Sequence, residues 1–218
     1  MSGAAATPAR SPAVPVTHLL YLHGFRSSPG STKARKLAAW VAAHRPGLAW
    51  ACPQLPASPA QAMREVLAQT ARWPAAQMAV VGSSLGGFYA TALAEQRSCR
   101  AVLLNPAVDP ARDLAAAVGT TTAWHSDEPF VFRPEYVDEL RAIAPPATLS
   151  HPDRYLAVIA TGDEVLSWHE MSARYAGCRV RRVEGSDHAL SDFDDHLPAL
   201  LAFLGLGAAP LSEPSGRA

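Results

Sequence analysis

Uninterrupted apolar runs constrain the fold of this chain more than any other sequence feature. Four of them read LLYL, AVV, AVLLN and LAVIA, and segments with helical periodicity separate them. A strand that is apolar at every position is buried on both faces, which is typical of a parallel sheet covered by helices. With two weaker runs, LAWACPQL and CRVRRVEG, the chain alternates six times between strand and helix. We predict an α/β fold with about six mostly parallel strands and helices on both faces.

The length of 218 residues suits a single domain of this kind. All predicted elements fall within residues 17–206, whereas 1–16 and 207–218 are rich in Ala, Pro, Gly and Ser and predict flexible tails. Residues 109–152 form too long a stretch for an ordinary connection. We predict a small cap over the active edge there, with a helix near residues 134–143; a decorated crossover helix is the alternative.

The charge balance excludes several classes of partner. Lys and Arg number 19, and Asp and Glu also number 19, so the chain has no basic field for nucleic acid or an anionic membrane surface.

No apolar run reaches the roughly 18 residues that span a bilayer. The first residues lack the apolar core of a signal peptide, and the 3 Cys form no metal-binding spacing. We predict a cytoplasmic protein without metal, nucleic-acid or membrane partners, and the sequence predicts no oligomeric state.

A candidate nucleophile follows the third predicted strand. Gly82-Ser83-Ser84-Leu85-Gly86 matches G-x-S-x-G between a strand and a helix. The flanking glycines remove side chains that would clash in so sharp a turn, and the turn exposes the central Ser84 hydroxyl above the sheet edge. Ser83 is the neighbouring rival. In the alternative interpretation Ser84 only caps the following helix.

A serine nucleophile needs a base, and that base is oriented by an acid. His188 follows the sixth predicted strand and Asp163 follows the fifth, so the order Ser–acid–His matches that of hydrolases. Glu164 is the main competitor of Asp163, and Asp187 is too close to His188 in sequence to orient it easily. Four other histidines are alternative candidates for the base, but a structural or surface role is favoured for each of them: His18, His44, His169 and His196.

Two backbone N–H groups are candidates for an oxyanion hole. The N–H of Leu85 lies at a helix N-terminus, which favours negative charge. The loop LHGFRSSPGS after the first strand offers the N–H of Phe25, where His23 and Gly24 let the backbone turn. A plain strand-to-helix turn is the alternative interpretation of this loop.

Aromatic residues of the predicted cap form a candidate acyl pocket. Trp124, Phe130 and Tyr136, with Phe132 between them, could bind an apolar acyl group. In the alternative interpretation they form the small core of the cap itself.

These residues together resemble the α/β-hydrolase superfamily and, more closely, the small bacterial YqiA-like esterases. The matching stretches, within about residues 18–206, are YLHGFRSSPGSTKA, VVGSSLGGFYATALAE, LLNPAV, TGDEVL and EGSDHALSDFDDH. The resemblance implies Ser84 as nucleophile, Asp163 as acid and His188 as base, with backbone donors at Phe25 and Leu85. It also implies hydrolysis of carboxylic esters or acyl thioesters without a cofactor.

Two departures from the family pattern leave those residues intact. Asp187 stands where relatives often carry Asn, and residues 119–133 are particular to this chain. We predict a serine hydrolase that acts on a small-molecule ester or thioester through an acyl-enzyme intermediate. An acyltransferase and a non-catalytic ligand-binding protein on the same fold are the alternatives.

Overall fold

The structure is a computed structural model that describes residues 14–123 and 129–207. Its strands are β1 (His18–Leu22), β2 (Ala49–Ala51), β3 (Met78–Ser83), β4 (Arg100–Leu104), β5 (Gly119–Thr122), β6 (Pro129–Phe132), β7 (Tyr155–Ala160) and β8 (Arg179–Val183). Its α-helices are α1 (Thr32–His44), α2 (Pro59–Thr70), α3 (Leu85–Arg97), α4 (Pro110–Asp113), α5 (Glu135–Ala142), α6 (Trp168–Arg174) and α7 (Phe193–Leu204). Most of the two predicted tails, 1–13 and 208–218, lies outside the described residues.

The main sheet has 6 strands in the order β2-β1-β3-β4-β7-β8. Every neighbouring pair in it is parallel, so the predicted parallel sheet is confirmed. Pro53 predicts a short or edge strand, and β2 has 3 residues and lies at the edge. Strand β1 lies between β2 and β3. The chain therefore forms β2 on one side of β1 and then crosses over to form β3 on the other side. A ligand crevice is expected at such a switch point, beyond the carboxyl ends of β1 and β3.

Helices cover both faces of this sheet, as the apolar strands predict. Alternate residues of β1 separate the two layers: Leu19 and Tyr21 pack in the cluster that includes α1 and α7. Leu20 and Leu22 pack in the opposite cluster, which includes α2, α3, α5 and α6. Within the described residues, no helix is both long and apolar enough to cross a membrane.

The stretch 109–152 contains an antiparallel hairpin, formed by β5 and β6, that the sequence did not predict. Helix α5 follows the hairpin where a helix was predicted. A carboxylate oxygen of Glu139 accepts the Ser58 hydroxyl at 2.6 Å and the Ala60 N–H at 3.0 Å, which joins α5 to the beginning of α2. The insertion is therefore fixed to the domain on the α2 side of the sheet.

Pro198 predicts that the C-terminal helix starts or kinks at that residue. The helix does not start there, because α7 begins at Phe193 and continues through Pro198. Pro198 has no N–H to donate to the carbonyl of Asp194, but Asp194 is exposed and its carbonyl can bond to water instead. The apolar side of α7 is buried in the core, which stabilises the helix. His196 was expected at the surface, yet it is 4% exposed and its ring contacts Asp192 and Arg181.

Candidate active site

The turn between β3 and α3 has the strained geometry that its glycine spacing predicts. Ser84 has φ 55° and ψ −121°, a conformation rare for a residue with a side chain. A Cβ added at Gly82 would lie 2.2 Å from the Gly86 carbonyl oxygen, and one at Gly86 would lie 2.0 Å from the Leu22 carbonyl oxygen. Only glycine fits at either position. Ser84 makes no side-chain capping bond to α3, so the interpretation of Ser84 as a simple cap is wrong.

Three predicted site residues meet in one hydrogen-bonded chain. The Nε2 atom of His188 lies 3.1 Å from Ser84 Oγ, and its Nδ1 atom lies 2.8 Å from an Asp163 carboxylate oxygen. The Asp163 side chain is fully buried, whereas 20% of the His188 side chain is exposed. An ionised carboxylate only accepts hydrogen bonds, so Nδ1 carries the ring proton and Nε2 can accept the Ser84 O–H.

The loop after β7 holds Asp163 rigidly. Its other carboxylate oxygen accepts the N–H of Val165 at 2.9 Å and the N–H of Leu166 at 2.7 Å. Glu164, the competing acid, instead accepts the backbone N–H of His188 at 3.0 Å. Both acids therefore contact residue 188, one at the ring and one at the main chain.

The other rivals lie away from the imidazole ring of His188. Asp187 accepts the N–H and the hydroxyl of Ser191, and these bonds lower the pKa of its carboxyl below the usual range. Ser83 is buried, and its hydroxyl interacts with that of Tyr21 on the opposite side of the sheet from α3.

The loop after β1 lies directly against Ser84. A Cβ at Gly24 would be 3.2 Å from the Ser84 Cβ and 3.7 Å from its Oγ. Among the described residues, the N–H groups of Phe25 and Leu85 donate to no protein acceptor. Both residues line the same small cavity.

Buried His23 holds this loop in place. Its Nε2 accepts the N–H of Leu55 at 3.0 Å, so its Nδ1 carries the proton and donates to the Gly24 carbonyl at 3.0 Å. Burial lowers the pKa of this imidazole, which keeps it in the neutral form that this bonding requires.

The cavity beside the two N–H groups has a volume of about 20 Å³. Phe130 of the insertion is one of its walls and packs edge-on against Phe25, with ring centroids 5.1 Å apart. Tyr136 does not line this cavity and packs instead on Phe132, with centroids 5.6 Å apart. The third residue of the predicted acyl pocket, Trp124, lies outside the described residues.

Lys33, near the beginning of α1, is a charged neighbour of the loop that carries His188. Its Nζ donates to the carbonyl of Ala189, the residue after His188. Burial lowers the pKa of Lys33 to about 8, although the nearby carboxylates of Asp187 and Asp163 act in the opposite direction. A positive charge is thus held beside the His188 loop.

The described residues bring together no three His, Cys, Asp or Glu side chains that could hold a metal ion. The 3 cysteines are free. Burial raises the pKa of Cys52 and Cys178 to about 11 and that of Cys99 to about 12, so these thiols are protonated at neutral pH.

Known proteins share this fold. A putative hydrolase from Agrobacterium vitis is similar with a TM-score of 0.68 and 20% identity, over 89% of this chain and 91% of that one. An esterase domain from Rhodothermus marinus has a TM-score of 0.58 and 20% identity, over 88% and 85%. A monoacylglycerol lipase from Paleococcus ferrophilus has a TM-score of 0.64 and 13% identity, over 88% and 96%.

The sequence itself matches one family model. Residues 18–205 fit the model of UPF0227, described as an uncharacterised protein family. Together with the shared fold, this match confirms the resemblance drawn from the sequence motifs. The chain belongs to the UPF0227 family, and its fold is that of the α/β hydrolases.

Proposed function

We propose that this protein is a serine hydrolase that cleaves carboxylic esters or acyl thioesters. The observation that carries the proposal is the hydrogen-bonded chain from Ser84 through His188 to buried Asp163. A hydroxyl, an imidazole and a carboxylate in this order form the arrangement that activates a serine.

The first half of the reaction acylates the enzyme. Ser84 Oγ attacks the carbonyl carbon of the substrate while His188 Nε2 takes the hydroxyl proton. The carbonyl oxygen becomes an oxyanion, which the N–H groups of Phe25 and Leu85 stabilise. The C–O or C–S bond then breaks, and the alcohol or thiol leaves with the proton held by Nε2.

The second half returns the enzyme to its starting state. His188 Nε2 takes a proton from water, and the resulting hydroxide attacks the acyl carbon. The ester bond to Ser84 breaks, its Oγ recovers the proton from Nε2, and a carboxylic acid is released. Asp163 accepts a hydrogen bond from the Nδ1–H group throughout, so it stabilises the imidazolium that forms twice in each cycle.

The reaction class rests on the site, and the substrate class rests partly on similar proteins. Two of the similar structures are an esterase domain and a monoacylglycerol lipase, which supports an acyl ester substrate here. The aromatic wall formed by Phe25 and Phe130 suits an apolar acyl group. We propose a small-molecule substrate and a reaction that needs no cofactor.

Paired serine variants test this proposal. Wild type and Ser83→Ala should hydrolyse p-nitrophenyl acetate and react with a fluorophosphonate probe, whereas Ser84→Ala should do neither, with a loss of at least about 10³-fold. An added acceptor alcohol should leave the free acid as the main product; an ester product would instead indicate an acyltransferase. Full activity in Ser84→Ala, or no labelling of folded wild type, would overturn the proposal.

A further inference from the structure

The segment from Leu104 to Ala107, just after β4, holds the main chain of Ser84 on both sides. The carbonyl of Leu104 accepts the Ser84 N–H at 3.0 Å, and the N–H of Ala107 donates to the Ser84 carbonyl at 3.0 Å. Pro106 packs against Gly87, where an added Cβ would lie 2.7 Å from the Pro106 Cβ. Asn105 and Pro106 belong to the part of the LLNPAV stretch that follows β4, and the proposed chemistry assigns them no role.

Asn105 extends this support to the loops that carry the other two members of the chain. Its side-chain oxygen accepts the N–H of Ala160 at 2.8 Å, at the end of β7 and just before Asp163. Its side-chain nitrogen donates to the carbonyl of Asp187 at 3.0 Å and to that of His188 at 3.1 Å. Asn105 is 0% exposed, so no water competes for these bonds.

We propose that Asn105 is a positioning residue, which fixes the main chain of His188 relative to Ser84 and to the strand end before Asp163. The inference rests on the proposed function, because it concerns the geometry of the same three side chains. The side-chain hydrogen bonds of Asn105 all go to backbone atoms and none goes to the Ser84 hydroxyl or the imidazole ring, so it acts through the backbone.

The chemistry of the site requires an asparagine. Two carbonyl oxygens accept hydrogen bonds from the side-chain nitrogen of Asn105, and one N–H donates to its side-chain oxygen. Only a primary amide satisfies this pattern of two acceptors and one donor. Aspartate has the same shape but would direct a carboxylate oxygen at the two carbonyls. The backbone of Asn105 has φ 42°, in the left-handed region that asparagine tolerates better than most residues.

The test compares Asn105→Ala and Asn105→Asp with Thr70→Ala. Thr70 is also buried and hydrogen-bonded, but it lies at the end of α2, near the edge of the sheet opposite the site. We expect both Asn105 variants to lose about 10- to 100-fold in kcat for p-nitrophenyl acetate and in fluorophosphonate labelling rate, with KM within about threefold. Thr70→Ala should retain wild-type kcat. Urea unfolding establishes that each variant is folded under the assay conditions.

A proton NMR measurement separates this inference from the proposed function. The Nδ1 proton of His188, which bonds to Asp163, should give a downfield resonance in wild type and Thr70→Ala that shifts or broadens in both Asn105 variants. Unchanged kcat and an unchanged resonance in folded Asn105→Ala would overturn the positioning role, as would failure of both Asn105 variants to fold. If wild type shows the resonance but never labels or hydrolyses, the proposed function fails while the positioning of His188 stands.

Discussion

The carboxylate of Glu164 accepts the backbone N–H of His188 at 3.0 Å. The residue before Glu164 in the chain is Asp163, whose carboxylate binds the ring of the same histidine. Asp163 reaches the Nδ1 atom at 2.8 Å and is fully buried. Two adjacent acids thus serve one histidine in different ways. The ring contact sets the tautomer and the orientation of the imidazole, whereas the backbone contact holds the loop.

This division predicts unequal effects of two isosteric variants. Asp163→Asn replaces an acceptor with an amide that can turn a donor toward Nδ1 and favour the wrong tautomer, so kcat for p-nitrophenyl acetate should fall by about 10³- to 10⁴-fold. Glu164→Gln keeps a carbonyl oxygen that can accept the His188 N–H, and its kcat should stay within about threefold of wild type. A larger loss in Glu164→Gln than in Asp163→Asn would reverse the assignment of the two acids.

Alanine substitutions at two glycines should separate folding from activity. In Gly86→Ala the new Cβ would lie 2.0 Å from the Leu22 carbonyl oxygen, so we expect the free energy of unfolding to drop by at least about 3 kcal/mol. In Gly24→Ala the nearest atom is the Ser84 Cβ at 3.2 Å, and small shifts relieve the contact. There stability should change by less than about 1 kcal/mol.

Gly24→Ala should reduce activity strongly although it changes stability little. Its added methyl group would stand 3.7 Å from Ser84 Oγ, where a substrate carbonyl must approach. We expect kcat/KM for p-nitrophenyl acetate to fall about tenfold in folded Gly24→Ala. Urea unfolding and steady-state kinetics on the same preparations check both expectations, and a Gly24→Ala enzyme with wild-type kcat/KM would contradict this placement of the loop.

The sequence predicts the main sheet well because its signals are local. Each apolar run and each helical segment is visible within its own stretch, and parallel topology follows from burial of both strand faces. The hairpin of β5 and β6 carries no such signal. Gly119 starts one strand and Pro129 starts the other, and both residue types argue against a strand when they are seen in sequence alone.

The site is predictable where a motif or a chain order marks it. Ser84 stands in a glycine motif, and Asp163 and His188 follow strands in a hydrolase order. Asn105 has no comparable signal, because its bonds reach residues 55, 82 and 83 positions away and form only after the sheet has assembled. The exact path of the turn after β7 also decides whether Asp163 or Glu164 faces the His188 ring. The sequence alone therefore could not exclude Glu164 as the acid.

Buried His23 predicts a loss of stability in acid. Its pKa in the folded protein is lowered from the usual 6.5, so the unfolded chain binds more protons as the pH falls below about that value. Stability from this residue is therefore complete above pH 6.5 and declines as the pH falls toward the lowered pKa, by at most about 1.4 kcal/mol per pH unit. His23→Gln, which cannot titrate, should lose less stability than wild type between about pH 7 and pH 5 in urea unfolding. Parallel losses in the two proteins would show that His23 does not contribute.

Two aromatic residues of the insertion should differ in their effect on acyl-chain preference. Phe130 is a wall of the cavity of about 20 Å³ beside the Phe25 and Leu85 N–H groups, so Phe130→Ala enlarges the space for an acyl chain. We expect the ratio of kcat/KM for p-nitrophenyl hexanoate to that for the acetate to rise about tenfold. Tyr136→Ala, the matched truncation, removes a ring that packs on Phe132 and should leave this ratio unchanged. If Tyr136→Ala shifts the ratio and Phe130→Ala does not, the acyl chain binds on the other side of the insertion.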